Sequence, residues 1–216
     1  MKATLSISRF NPITDCAGYL KDYQLTLEPH ETVLDALFKA WELDPGLSFR
    51  RSCRSSICGS CAMAIQGRPR LACQTLASEL TGEGGAIVLG PLPGFRRIKD
   101  LVVDLDPFFE ALKGVIPWLL TRPDHNGLVD PQEAHRVESP ATCILCAICD
   151  AGIDPGGGVS PAALVKNTRL AMDPRDVLGA DRLKFTGLTG DGLKSFRELL
   201  AGICPKKIEL PGPAPE

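Results

Sequence analysis

The sequence predicts an α+β chain in two parts, a small sheet clasping one helix followed by a mostly helical half, on three grounds. Residues 1–90 interleave short alternating runs with one amphipathic helical run. From Asp106 onward the apolar residues recur at helical spacing. Between the two, "GPLPGFRRIKD" is dense in Gly and Pro and reads as a linker, so domains are expected over 1–98 and 99–216.

Taken in order, residues 3–8 and 19–27 ("YLKDYQLTL") alternate apolar and polar side chains, as a pair of antiparallel strands does. "ETVLDALFKAWEL" follows with Thr32 as N-cap, Asp35 three places on, and Val33, Leu34, Leu37, Phe38 and Trp41 on one side, the pattern of a capped helix. A cysteine-rich loop leads to three short strands, at "CAMAIQG", around "RLACQT" and at "AIVLG". In the second half Phe108, Leu112, Val115 and Leu119 share a helical face begun by Pro107, and helices are expected at 131–139, 161–172 and 191–202, with a glycine-rich loop at 152–158.

Composition narrows the function. A net charge of -2 provides no basic footprint, so no nucleic acid is expected as partner. No apolar run approaches the ~18 residues of a membrane span. The start "MKATLSISRFNP" lacks the unbroken apolar core of a secretory signal, which places the protein in the cytoplasm. Nine cysteines in that reducing compartment point to metal rather than disulfides. The 21 glycines and 18 prolines exceed the ~12% of average usage and imply irregular backbone wrapped around something.

"SCRSSICGSCAMAIQGRPRLACQT" separates Cys53, Cys58, Cys61 and Cys73 by four, two and eleven residues, the plant-type spacing of a 2Fe-2S centre. Two irons bridged by two sulfides need four converging thiolates. Gly59 and Ser60 leave room for backbone amides to approach the sulfurs, and Ser52, Ser55 and Ser56 add polar groups. Arg50, Arg51 and Arg54 crowd the loop, either offsetting cluster charge or facing an electron partner. Zinc and plain packing are the competing explanations of these thiols.

A second run, "CILCAICDAGIDPGGG", holds Cys143, Cys146 and Cys149, but Ile153 stands where the next cysteine of a bacterial-type run belongs. In two-cluster ferredoxins each cubane takes three thiolates from one run and the fourth from a remote Cys-Pro. "GICPKK" supplies that pair as Cys204 and Pro205, so one complete 4Fe-4S site remains and its usual companion has no ligands. A structural zinc on the same four thiols is the alternative. Cys16 has no partner in sequence and reads as a packing residue. His30, His125 and His135 are isolated and read as surface residues, and no catalytic constellation is visible.

Through "SRFNP", "LSFRRSCRSSICGSCAMAIQGRPRLACQT", "PLPGFRRIKDLVVDLDPFFEALKGVIPWL", "CILCAIC", "SPAALV", "DPRD" and "CPKK", the chain resembles the iron-sulfur subunit of succinate dehydrogenase and fumarate reductase. The resemblance implies an N-terminal β-grasp 2Fe-2S ferredoxin-like domain followed by an all-α helical ferredoxin domain. It also implies a partner flavoprotein whose FAD oxidises or reduces a dicarboxylate, so FAD is expected only in that partner chain. Family members usually add a 3Fe-4S cluster that hands electrons to quinone. Here its three ligand positions lack cysteine, "DPGGG" replaces the usual aromatic residues, and 3Fe-4S is expected to be absent.

The expected function is an electron-transfer subunit that passes electrons between the flavoprotein and an unidentified acceptor or donor subunit, attached to the cytoplasmic membrane face only through other subunits. A free-standing ferredoxin-like carrier and a scaffold with structural zinc are the alternatives. Small subunits of molybdenum hydroxylases share the first loop but pair their second set of cysteines differently.

Overall fold

Alternation along the first strand sets up the core of the first half. In β1 (Lys2–Arg9) the residues Ala3, Leu5 and Ile7 are buried and point to one face. The computed structural model describes residues 1–81, 85–151, 160–186 and 190–210. Within these, β1 pairs antiparallel with β2 (Tyr19–Thr26) and parallel with β5 (Ala86–Gly90). β5 then pairs antiparallel with β3 (Ala62–Ile65), and β3 with β4 (Arg68–Leu71), so the sheet order is β2-β1-β5-β3-β4.

Helix α1 (Val33–Leu43) closes over that apolar face, burying Val33, Leu34, Ala36, Leu37 and Ala40. Its start is the expected capping box: the Asp35 amide donates to Thr32 Oγ1 at 3.2 Å, and the Thr32 amide donates to Asp35 Oδ2 at 3.0 Å. The strand expected around "RLACQT" starts and stops earlier, at Arg68–Leu71, because Ala72, Cys73 and Gln74 turn away to serve the cysteine loop.

The expected linker at 90–100 is an integral part of the first half. It contains β6 (Arg97–Lys99), which pairs with β7 (Val102–Val103), and it carries Asp100, only 2% exposed. Asp100 Oδ1 accepts from Arg9 Nε and from the Phe10 amide, both at 2.9 Å, and Oδ2 accepts from the Ser48 amide at 2.8 Å. Arg9 also donates to Tyr23 at 2.6 Å and to Asp44. Hydrogen bonds from Lys21, Arg9 and Tyr23, with the Lys21 bond largest, hold the Asp44 carboxyl well below the usual carboxylate range against its burial. A buried ion pair that loses one partner leaves an uncompensated charge, so Arg9→Met is expected to destabilise this half by about 3 kcal/mol, read as a lower urea midpoint.

The chain accordingly divides into two compact units, Met1–Leu105 with Leu145–Gly152, and Asp106–Ile144 with Ile153–Glu216. The boundary falls after Leu105 instead of after Ile98 because Asp100, Leu101 and Val103 are buried in the first unit.

In the second unit α2 (Asp106–Gly114) buries Phe108 and Leu112 but stops short of Leu119. Ile116 is left-handed at φ 49°, and Pro117 disfavours helix in the residue before it. The helix expected at 131–139 is two pieces, α3 (Pro131–Arg136) and α4 (Glu138–Ala141), because Pro140 has no amide to continue the ladder from Arg136. α5 (Pro161–Ala171) begins where expected, with Pro161 at its start and Ser160 Oγ accepting from the Ala163 amide at 3.1 Å. It packs on α2, α4 and a 3-10 stretch, Gly179–Thr186, and α6 (Gly190–Ile203) runs into Cys204. The glycine-rich loop at 152–158 lies outside the described residues.

Candidate iron-sulfur ligand loop

Between α1 and β3 the chain alternates ordinary with left-handed residues, at Arg54 (φ 59°), Ser56 (φ 59°) and Gly59 (φ 70°). Such alternation curls successive amides toward one centre and makes an anion-binding concavity. The anions here are sulfurs. Cys53 Sγ accepts from the amides of Ser55 at 3.4 Å and of Ile57 and Cys58 at 3.3 Å. Cys58 Sγ accepts from the Cys53 amide at 3.4 Å, Cys73 Sγ from the Ser56 amide at 3.3 Å, and Cys61 Sγ from the Cys73 amide at 3.4 Å.

Cys53 and Cys58 exchange amide-to-sulfur hydrogen bonds, and the Cys73 amide serves the Cys61 sulfur. Burial pushes the Cys58 thiol up, but hydrogen bonds from Ser60 and from Cys53 outweigh it and bring it down to about 6. Burial drives Cys61, only 3% exposed, up to about 12. Four thiols that each receive a backbone amide fit an iron-sulfur cluster.

Each of the three arginines has a partner within the first unit. Arg50 donates to the Val103 carbonyl at 2.7 Å. Arg51 lies 5.0 Å from the ring centre of Phe38 and 5.2 Å from those of Trp41 and Phe49. Arg54 lies 4.8 Å from the Phe38 ring and donates to Asp35 Oδ1 at 2.9 Å. Arg51 and Arg54 are thus engaged by helix α1, and the sequence signal that finds their partners is the Asp35, Phe38, Trp41 spacing of three and four on one helix face.

The second cysteine run, residues 143–149, also holds left-handed backbone. Leu145 (φ 52°) and Ala147 (φ 60°) are left-handed, Ala147 and Ile148 are fully buried, and Cys143, Cys146 and Cys149 are half-buried. Cys149 Sγ approaches Asp150 Oδ2 at 3.3 Å. Cys204, also half-buried, ends α6 with its amide on the Leu200 carbonyl at 2.9 Å. Ile153 lies outside the described residues. Among the described residues, no group of three or more His, Cys, Asp or Glu side chains is gathered tightly enough for a single metal ion.

Cys16 is exposed instead of packed, because the turn between β1 and β2 stands at the surface, closed by Asp15 accepting from the Asn11 amide at 2.8 Å. His30 and His135 are exposed, and His135 pairs with Glu138 at 2.8 Å. The half-buried His125 accepts from the Gly127 amide at 2.8 Å through Nδ1. Among the described residues no helix is long and apolar enough to cross a membrane.

A mixed sheet over one helix, with a sulfur-directed amide loop at its edge, defines an iron-sulfur protein of the electron-transfer class. Residues 4–110 match the family model of a 2Fe-2S iron-sulfur cluster binding domain. A succinate dehydrogenase iron-sulfur subunit of Coxiella burnetii is 36% identical, covering 95% of this chain and 91% of its own. Fumarate reductase iron-sulfur subunits of Wolinella succinogenes (33% identical, 96% of this chain and 92% of theirs) and Haemophilus influenzae (32%, 95% and 87%) are similar over the same span. The Mycobacterium smegmatis Sdh1 complex in the apo form contains a chain with the same fold, at a TM-score of 0.83 and 24% identity over 97% of this chain and 90% of that one. The chain belongs to the family of iron-sulfur subunits of succinate dehydrogenase and fumarate reductase. It is an electron-transfer subunit of an oxidoreductase, built on a 2Fe-2S domain, and not itself the catalytic chain.

Proposed function

We propose that the chain holds a 2Fe-2S cluster on Cys53, Cys58, Cys61 and Cys73 and a 4Fe-4S cluster on Cys143, Cys146, Cys149 and Cys204, with no 3Fe-4S cluster. In this reading it connects a partner flavoprotein, which carries FAD and works on a dicarboxylate, to a further donor or acceptor subunit. The first domain is a β-grasp ferredoxin and the second a helical ferredoxin domain. When bound, the clusters supply one-electron sites in series.

A backbone amide on every sulfur of the first loop, with its four-two-eleven spacing of cysteines, is the observation that carries the reading. For the second site the support is the spacing of the Cys143 run together with Cys204-Pro205, and the two left-handed residues that curl the run around its thiols. The protein's own part is to hold sulfurs in place, donate amides to them and limit water. In the cell the subunit lies on the cytoplasmic side and meets a membrane only through its partners.

Iron and zinc content, with low-temperature EPR on anaerobically purified protein, tests this. About six irons per chain are expected, with two signals on reduction and no 3Fe-4S signal when oxidised. About two irons plus one zinc makes the second site structural and overturns its redox role. Purification from the native source is expected to bring a flavin-containing chain, whereas isolation as a monomer marks a free-standing carrier.

A further inference from the structure

We propose that Arg54 is a positioning residue: by gripping helix α1 through Asp35 and Phe38 it holds the amides of residues 55–58 on Cys53 Sγ, and so sets the reduction potential of the first cluster. The inference rests on the reading of Cys53, Cys58, Cys61 and Cys73 as 2Fe-2S ligands.

Arg54 itself is in the left-handed region, where a residue with a Cβ is disfavoured, so its backbone must be held there by something outside it. Its side chain is the visible restraint. Nη2 reaches Asp35 Oδ1 at 2.9 Å while the guanidinium lies 4.8 Å from the Phe38 ring centre. Asp35 cannot follow a moving loop, because its other oxygen is tied to Thr32 by the amide at 3.0 Å and by Oγ1 at 2.7 Å. Arg51, two residues before Cys53, is stacked on the same Phe38 ring. Cys53 is therefore bracketed by two arginines anchored to one rigid helix. It is also the thiol that receives three backbone amides, those of Ser55, Ile57 and Cys58.

Amide hydrogen bonds on a ligating sulfur favour the reduced, more negative cluster and raise its potential. A loop freed from the helix loses them, and the potential falls. A purely electrostatic role for the Arg54 charge makes a different prediction for the neighbours. Phe38→Leu changes no charge and then leaves the potential alone. Asp35→Asn removes a negative charge and then raises it. Under the positioning role both lower it, as Arg54→Gln does. Arg54→Lys keeps the charge but lacks the planar fork and the ring stack, and lowers it as well.

The experiment is an EPR-monitored redox titration of the 2Fe-2S signal in the full-length, iron-loaded protein. At the wild-type midpoint the ratio of reduced to oxidised centre is expected to fall about threefold or more in Arg54→Gln, Arg54→Lys, Asp35→Asn and Phe38→Leu, where tenfold corresponds to ~59 mV for one electron. An unchanged potential in Phe38→Leu and Arg54→Lys, with a rise in Asp35→Asn, overturns the positioning role. If Arg54→Gln fails to retain iron, Phe38→Leu, which keeps every charge, decides the matter. A wild-type protein without any 2Fe-2S signal overturns the ligand assignment itself, an outcome separate from a wild-type signal whose potential the variants leave unmoved.

Discussion

A Cys204→Ser protein, purified anaerobically and reduced, is expected to show the 2Fe-2S EPR signal of the wild type and to lack the 4Fe-4S signal, with iron falling from about six to about two per chain. In the proposed site Cys143, Cys146 and Cys149 would provide three thiolates, and a cubane needs a fourth ligand. In sequence the remote candidate is the cysteine before Pro205, at the end of α6, with its amide bonded to the Leu200 carbonyl at 2.9 Å. That bond carries the helical hydrogen-bond ladder of α6 one residue past Ile203 to Cys204. Replacing Sγ by Oγ removes the soft donor that iron-sulfur clusters prefer. Cys16→Ser is the control, since Cys16 is exposed and outside both sets. A full 4Fe-4S signal in Cys204→Ser shows that the fourth ligand is another group.

The second large effect concerns stability. Arg182→Met is expected to cost the second unit about 3–5 kcal/mol. Arg182 is fully buried, and its guanidinium forms a fork on Asp176, with Nε to Oδ1 at 2.8 Å and Nη2 to Oδ2 at 2.7 Å. It also donates to the carbonyls of Val115 at 3.2 Å and of Ile116 and Trp118 at 2.8 Å. Those carbonyls follow the end of α2 at Gly114, so one side chain ties down the turn after the helix. Met fills much of the volume but donates nothing, leaving the Asp176 carboxylate buried without its cation. Hydrogen exchange measured by mass spectrometry on the iron-loaded protein is expected to speed up in peptides covering 106–120 and 173–186. Unchanged protection there means the network contributes little.

Much of the molecule is legible in local sequence. The alternation in 3–8 and 19–27, the Thr32/Asp35 capping box and Ser160-Pro161 at the start of α5 each report on a few neighbouring residues, and each forms as expected. Where the sequence misleads, either a nearby proline or a distant partner is the cause. The stretch 90–100 looks like a linker because its Gly and Pro are visible, while the use of Asp100 is not. Its partner Arg9 stands 91 residues away. The run Phe108 to Leu119 looks like one helix, yet it ends at Gly114, before Pro117 and onto Arg182.

By itself, then, the sequence determined the capped starts of α1 and α5, the first two strands, and membership in an iron-sulfur subunit family, because spacing and period are properties of short windows of chain. Only the tertiary structure decided that β5 inserts parallel beside β1, that buried arginines tie remote carboxylates and carbonyls together, and that Arg51 and Arg54 serve helix α1 instead of standing free. Burial is what makes those choices. A charge removed from water must find its partner wherever the fold brings one, and no local pattern records where that is.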